Sequence, residues 1–101
     1  MKKISLLPYK VLPAGEDYKV RQSLLNVMFS PHLHLSARTI IEQDKIACKI
    51  EAAGDVVILE DAEYERVKMA VETFDGYQRN DLEFVRRVLD AETVRVEEAR
   101  E

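Results

Sequence analysis

Four apolar residues in a row, Val56-Val57-Ile58-Leu59, sit between Asp55 and Glu60. No other feature restricts the fold of this chain as tightly. A short apolar run closed off by acids reads as a strand covered on both faces, hence a central strand. Asp61 comes next as the cap of a helix reaching to about Asp75, with Glu63 and Glu65 in its first turns. There Tyr64, Val67, Val71 and Phe74 recur on one stripe, with Ala70 beside it, and Gly76 ends it.

The rest of the chain is read outward from that strand. Ile4 to Leu12 reads as an N-terminal strand, interrupted or at an edge, because Pro8 has no N–H to give a ladder. Pro13-Ala14-Gly15 turns the chain. Glu16 to Phe29 then reads as a helix with two acids in its first turn and Val20, Leu24, Val27 and Met28 as its buried stripe. Ser30-Pro31 stops it. His32-Leu33-His34-Leu35 alternates like a short extended link, and Ser36 is placed to cap the next helix.

From Ala37 to Ala53 the apolar residues share no single stripe: Ile40 and Ile41 lie on one side, Ile46 and Ile50 on another. Either this helix is buried on two sides, or it breaks near Gln43-Asp44; the break is the preferred reading. Asn80-Asp81-Leu82-Glu83 fits a capping box opening a helix to about Ala91, with Leu82, Val85 and Leu89 on one side and Phe84 and Val88 adjoining. Thr93-Val94-Arg95-Val96-Glu97 alternates as a last strand, and residues 98–101 are expected to fray.

The order β-α-(α)α-β-α-α-β defines a single α+β domain over residues 1–101, a small three-stranded sheet packed with four or five helices. Two of those strands must be edges. In a chain this short, a second subunit is expected to supply part of the cover, so a homo-oligomer is expected. No apolar run approaches the ~20 residues of a membrane span. The N-terminal apolar run ends at Pro8, too short for the core of a signal peptide. One cysteine, Cys48, excludes an internal disulfide framework and points to a reducing, cytoplasmic setting. Charge is uneven. Residues 1–50 carry eight Lys/Arg against four acids and residues 51–101 seven against fifteen, so the net −4 divides into +4 and −8.

Candidate chemistry is sparse. His32, His34, Asp44 and Cys48 are the residue types a metal site uses, but their spacing matches no zinc pattern, and Cys48 reads as a small buried thiol; no metal or other cofactor is expected. Cys48 lacks the turn and the local base that a nucleophile needs. Paired acids such as Glu60-Asp61 lie at helix starts, where capping explains them. Three isolated glycines exclude a P-loop and a dinucleotide fingerprint. The eight basic residues of the first half raise nucleic-acid binding as an alternative, opposed by their dispersal and by a pI near 5.2. Arg79, Arg86 and Arg87 form the best contact cluster. Of the adjacent Arg86 and Arg87, one is placed to pair with Glu83 or Asp90, and the other to serve a partner surface.

The segment Val57-Ile58-Leu59-Glu60-Asp61-Ala62-Glu63-Tyr64-Glu65-Arg66-Val67-Lys68 resembles one in small accessory proteins of tailed bacteriophages and prophages, where an apolar strand also runs into an acidic cap, a Tyr and a Val or Leu before Lys. Leu24 to Pro31, Lys49-Ile50 and Arg86-Arg87-Val88-Leu89 fit the same pattern. The resemblance implies a phage gene cluster, the host cytoplasm or the virion as location, and action by binding. It carries no catalytic residue. The expectation is therefore a non-enzymatic, self-associating protein working through protein–protein contacts in particle assembly, with a further phage or host protein as a second kind of partner. Its contact residues would be Arg79, Arg86 and Arg87 with the edge strand Thr93, Val94, Arg95 and Val96. The alternative is a small regulator that grips a host protein or nucleic acid through the basic first half.

Overall fold

A computed structural model describes residues 1–11 and 15–94. Its elements run β1 (Lys2–Ser5), β2 (Tyr9–Val11), β3 (Glu16–Tyr18), α1 (Val20–Met28), α2 (Ala37–Ala52), β4 (Val56–Leu59), α3 (Asp61–Thr73), α4 (Leu82–Leu89) and β5 (Glu92–Thr93), with single 3-10 turns at Pro31–Leu33 and Arg79–Asp81. The fold is α+β. A three-stranded antiparallel sheet is ordered β4-β1-β5, and β2 and β3 form a separate hairpin. The shortest dimension is 21 Å, the thickness of one helix layer laid on one sheet.

The apolar run at Val56–Leu59 is a strand, but it is an edge strand and not the central one. Among the described residues it pairs only with β1, Lys2 opposite Leu59 and Ser5 opposite Val56. Its side chains alternate: Val57 and Leu59 point into the core, while Val56 and Ile58 are half-buried on the other face. The centre belongs to β1, because β5 pairs along its other side. β5 pairs with Lys2 and Lys3, and the Val94 N–H donates to the Met1 carbonyl at 2.9 Å. Arg95 and Val96 of the expected last strand, and the fraying expected at 98–101, lie outside the described residues.

Pro8 does interrupt the N-terminal strand, and the two pieces enter different sheets. Glu16 and Asp17, expected in the first turn of a helix, belong instead to β3. Tyr9 lies opposite Tyr18, Lys10 opposite Asp17 and Val11 opposite Glu16. The two tyrosine rings stack at 4.7 Å, and Lys10 reaches Asp17 at 2.6 Å. Gly15, at φ 71°, supplies the positive φ that the hairpin requires. These cross-strand contacts outweigh the helix dipole that would favour acids in a first turn. α1 starts at Val20 and buries the expected stripe, Val20, Leu24, Val27 and Met28.

The link 32–35 is not extended. Pro31–Leu33 forms a 3-10 turn held by the Ser30 side chain, and His34 takes a left-handed conformation at φ 50°. Ser36 caps α2 by accepting from the Thr39 N–H at 3.2 Å. α2 then runs unbroken for 16 residues and is buried on one side only, by Gln43, Ile46, Ala47 and Ile50. Ile40 and Ile41 stay exposed, which resolves the missing stripe without a break. From α1, Arg21 donates to the carbonyls of Ala53 (2.7 Å) and Gly54 (2.5 Å), occupying acceptors that the end of α2 leaves open.

α3 starts one residue upstream of its expected position, and α4 one residue downstream of its own, at Leu82 behind the 3-10 turn. Glu60 rather than Asp61 precedes α3, its N–H donating to the Glu63 carboxylate at 2.9 Å. Gln78 and Asp81 form the box before α4, in place of Asn80 and Glu83, with the Gln78 N–H donating to Asp81 at 2.7 Å. α3 buries Tyr64, Val67, Ala70 and Val71 of its expected stripe, but it ends at Thr73, and Phe74 just beyond it is half-buried. α4 buries Phe84 and Val88, and Leu82 is turned outward, not toward the core.

Candidate interaction surfaces

The N-terminal end of α4 is set by two tyrosines from the hairpin. The Tyr9 hydroxyl accepts from the Phe84 N–H at 3.2 Å and donates to the Asn80 carbonyl at 2.7 Å. The Tyr18 hydroxyl donates to Asp81. Burial and then the Asp81 bond raise the Tyr18 pKa, and burial raises that of Tyr9. Both phenols therefore stay neutral donors at ordinary pH. Held this way, β2 and α4 bound a cleft of about 550 Å3 lined by Tyr9, Lys10, Arg79, Leu82, Glu83 and Arg86.

The three arginines expected at a contact surface separate here. Arg79 and Arg86 are exposed on the cleft, and among the described residues neither makes an ion pair. Arg87 is not exposed. Its side chain is 19% accessible and pairs with Glu83 at 3.2 Å, the helical partner expected for one arginine. It also donates to the Leu7 carbonyl at 2.5 Å and lies 5.1 Å from the Tyr9 ring. That set of contacts ties α4 to the chain between β1 and β2. Thr93 accepts from the Lys2 ammonium at 2.7 Å, and Val94 is buried.

A second surface lies between α2 and α3. Met69 and Ile41 are 65% and 58% exposed there, the most exposed large apolar side chains among the described residues. A groove of about 420 Å3 runs beside Met69 over Leu33, Leu35 and Ala70. It adjoins a second depression at Ile41 and shares Thr39 and Arg66 with it. Gln43 forms part of the wall. Its amide donates to the Met28 carbonyl at 3.1 Å, and its buried Oε1 has no partner among the described residues. The rim carries Arg38 and Arg66 together with Glu42 and Glu65. Sequence periodicity missed this surface, because it took Ile40 and Ile41 for a buried side, whether of one helix or of a short helix before a break.

The remaining candidates do not converge. His32 is exposed and stacks on Phe74 at 5.3 Å, and His34 is exposed. Cys48 is exposed, not buried, with its sulfur 3.9 Å from Asp44. The negative charge of Asp44, more than desolvation, pushes its thiol pKa up and so away from the reactive thiolate. Among the described residues no three His, Cys, Asp or Glu side chains come together as a metal set would. The basic residues of the first half are dispersed: Lys45 pairs with Glu42 at 3.5 Å and Lys49 with Glu63 at 2.7 Å.

Among the described residues no helix is long and apolar enough to cross a membrane. No protein-family model, curated protein or solved structure matches the chain.

Proposed function

We propose that this is a non-enzymatic, self-associating protein that works through protein–protein contacts, in the particle-assembly setting that its phage-like segments imply. The observation that carries the reading is the open apolar strip of Leu33, Leu35, Ile41 and Met69 between α2 and α3. Ile41 and Met69 are left in water, and Leu33 and Leu35 are only half-buried, although the chain has a closed core elsewhere. Burying a large apolar side chain contributes about 1.5–3 kcal/mol. Ile41 and Met69 together would contribute about 3–6 kcal/mol, which reaches only the lower end of the ~4–15 kcal/mol that association costs, so the charged rims are expected to add to it. The exposed thiol of Cys48 beside Asp44 supports a non-catalytic reading, since a nucleophilic cysteine needs its pKa lowered.

Light scattering after gel filtration, over a concentration series, tests the proposal. The mass is expected to rise above that of one chain with concentration, and Met69→Glu is expected to lower it without changing the circular dichroism. A mass of one chain at every concentration would overturn the reading.

A further inference from the structure

The exposed stripe of α4 and the exposed stripe of α3 are complements of each other. On the 3-10 turn and α4, Arg79, Leu82 and Arg86 recur at helical spacing and face solvent, with Leu82 50% accessible. On α3, Glu65, Met69 and Glu72 do the same, opposite the buried Tyr64, Val67 and Val71. One stripe reads base–apolar–base and the other acid–apolar–acid. Among the described residues none of these four charges makes an ion pair within the chain. The spacings also agree. From Arg79, Leu82 and Arg86 lie three and seven residues on; from Glu72, Met69 and Glu65 lie three and seven residues back.

We propose that α4 of one copy docks antiparallel on α3 of the next, placing Arg79 on Glu72, Leu82 on Met69 and Arg86 on Glu65 of the neighbouring copy. The same alignment sets Glu83 against Lys68, a further opposite pair. Its one like-charged pair, Asp90 with Asp61, falls beyond the last residue of α4. Adjacent helices interact through residues repeating every three to four positions, so a match at three and at seven covers two turns of contact. This rests on the self-association reading and specifies its geometry. The two faces lie on different elements, so each contact joins unlike surfaces: made once between two copies it leaves one face free on each and grows head-to-tail into a ring or a filament, and made reciprocally it closes a twofold dimer. A twofold contact of the α4 stripe with itself would set Arg79 and Arg86 against their own kind, which costs affinity.

Charge reversal in two variants tests this. Arg79→Glu with Arg86→Glu spoils one face, and Glu65→Arg with Glu72→Arg spoils the other; Arg87 is kept in both. Each variant alone is expected to associate roughly a hundredfold more weakly than the parent, each opposed pair being worth about tenfold, with unchanged circular dichroism. Mixed one to one, the two variants are expected to regain association, because each retains the face that the other has lost. Persistent assembly of either variant alone would overturn the contact of α4 on α3 while leaving self-association standing. Failure of the mixture to associate, with both variants folded, would overturn it as well. A parent protein that never exceeds one chain in mass would overturn both readings together.

Discussion

Arg86 and Arg87 are neighbours in sequence, yet replacing each by alanine is expected to have opposite consequences. Arg87→Ala removes a charged donor from the Leu7 carbonyl, a contact of 2.5 Å, and a cation from above the Tyr9 ring at 5.1 Å. It also removes the i,i+4 pair with Glu83 at 3.2 Å. A hydrogen bond from a charged group is worth about 1.5–3 kcal/mol. A cation over an aromatic ring adds about 0.5–1 kcal/mol, and an exposed helical ion pair about 0.3–0.5 kcal/mol. Water can replace the donor at Leu7, which is exposed, so the hydrogen bond is taken at its lower end. The loss is then about 2–3 kcal/mol, or about 10–20 °C in Tm for a domain of this size. Arg86 makes no such contacts among the described residues, and Arg86→Ala is expected to stay within about 0.5 kcal/mol. Urea unfolding monitored by circular dichroism measures both, on dilute protein at one concentration, since assembly raises apparent stability. Arg87→Lys is expected to recover less than half of the loss, because an ammonium lacks the planar fork that serves Leu7, Glu83 and the ring together. Equal stability of the Arg86→Ala and Arg87→Ala proteins would refute the assignment of Arg87 to the fold.

Two predictions concern pH. Burial pushes the Tyr77 phenol up from 10.0 to about 12, and its hydroxyl donates to the Val71 carbonyl at 2.7 Å. A raised folded pKa means that the neutral form is favoured in the fold. Its stability is complete below about pH 10 and is lost as pH rises through about 12. The urea midpoint should fall across that window, less steeply in Tyr77→Phe, and phenolate absorbance should rise later than in the unfolded chain. Glu63 behaves oppositely: burial raises its pKa, but the Lys49 ammonium at 2.7 Å and the Glu60 N–H outweigh burial and leave it lowered. That contribution is present above the ordinary value of 4.5 and fades as pH falls through the depressed one. Lys49→Met is therefore expected to cost about 0.5 kcal/mol near neutrality, after screening of a partly exposed pair, and almost nothing once Glu63 is protonated. A cost that does not change with pH would separate Lys49 from Glu63.

The buried faces of α1 and α3 were legible from periodicity alone, at Val20, Leu24, Val27 and Met28 and at Tyr64, Val67 and Val71. So was the Ser36 cap, because a hydroxyl before a helix satisfies local donors whatever surrounds it. These features depend on neighbours within one or two turns. The pairing of strands does not. Val56–Leu59 is apolar enough for a central position, but β1, paired with β4 on one side and β5 on the other, took that position and left β4 at the edge. The hairpin of β2 and β3 depends on Tyr9 meeting Tyr18, a contact across a turn that helix propensity at Glu16 and Asp17 does not register. The candidate surfaces divide in the same way. Arg79, Arg86 and Arg87 are equivalent as letters, and only the approach of Leu7 and Tyr9 to α4 draws Arg87 into the fold and leaves the other two on the cleft. Ile41 is apolar enough to read as core, and it is surface, as Met69 is, because α1 already packs against the inner faces of both helices. Local sequence determines which face of a helix is apolar; how many of those faces the rest of a small chain can cover is decided only when the elements pack.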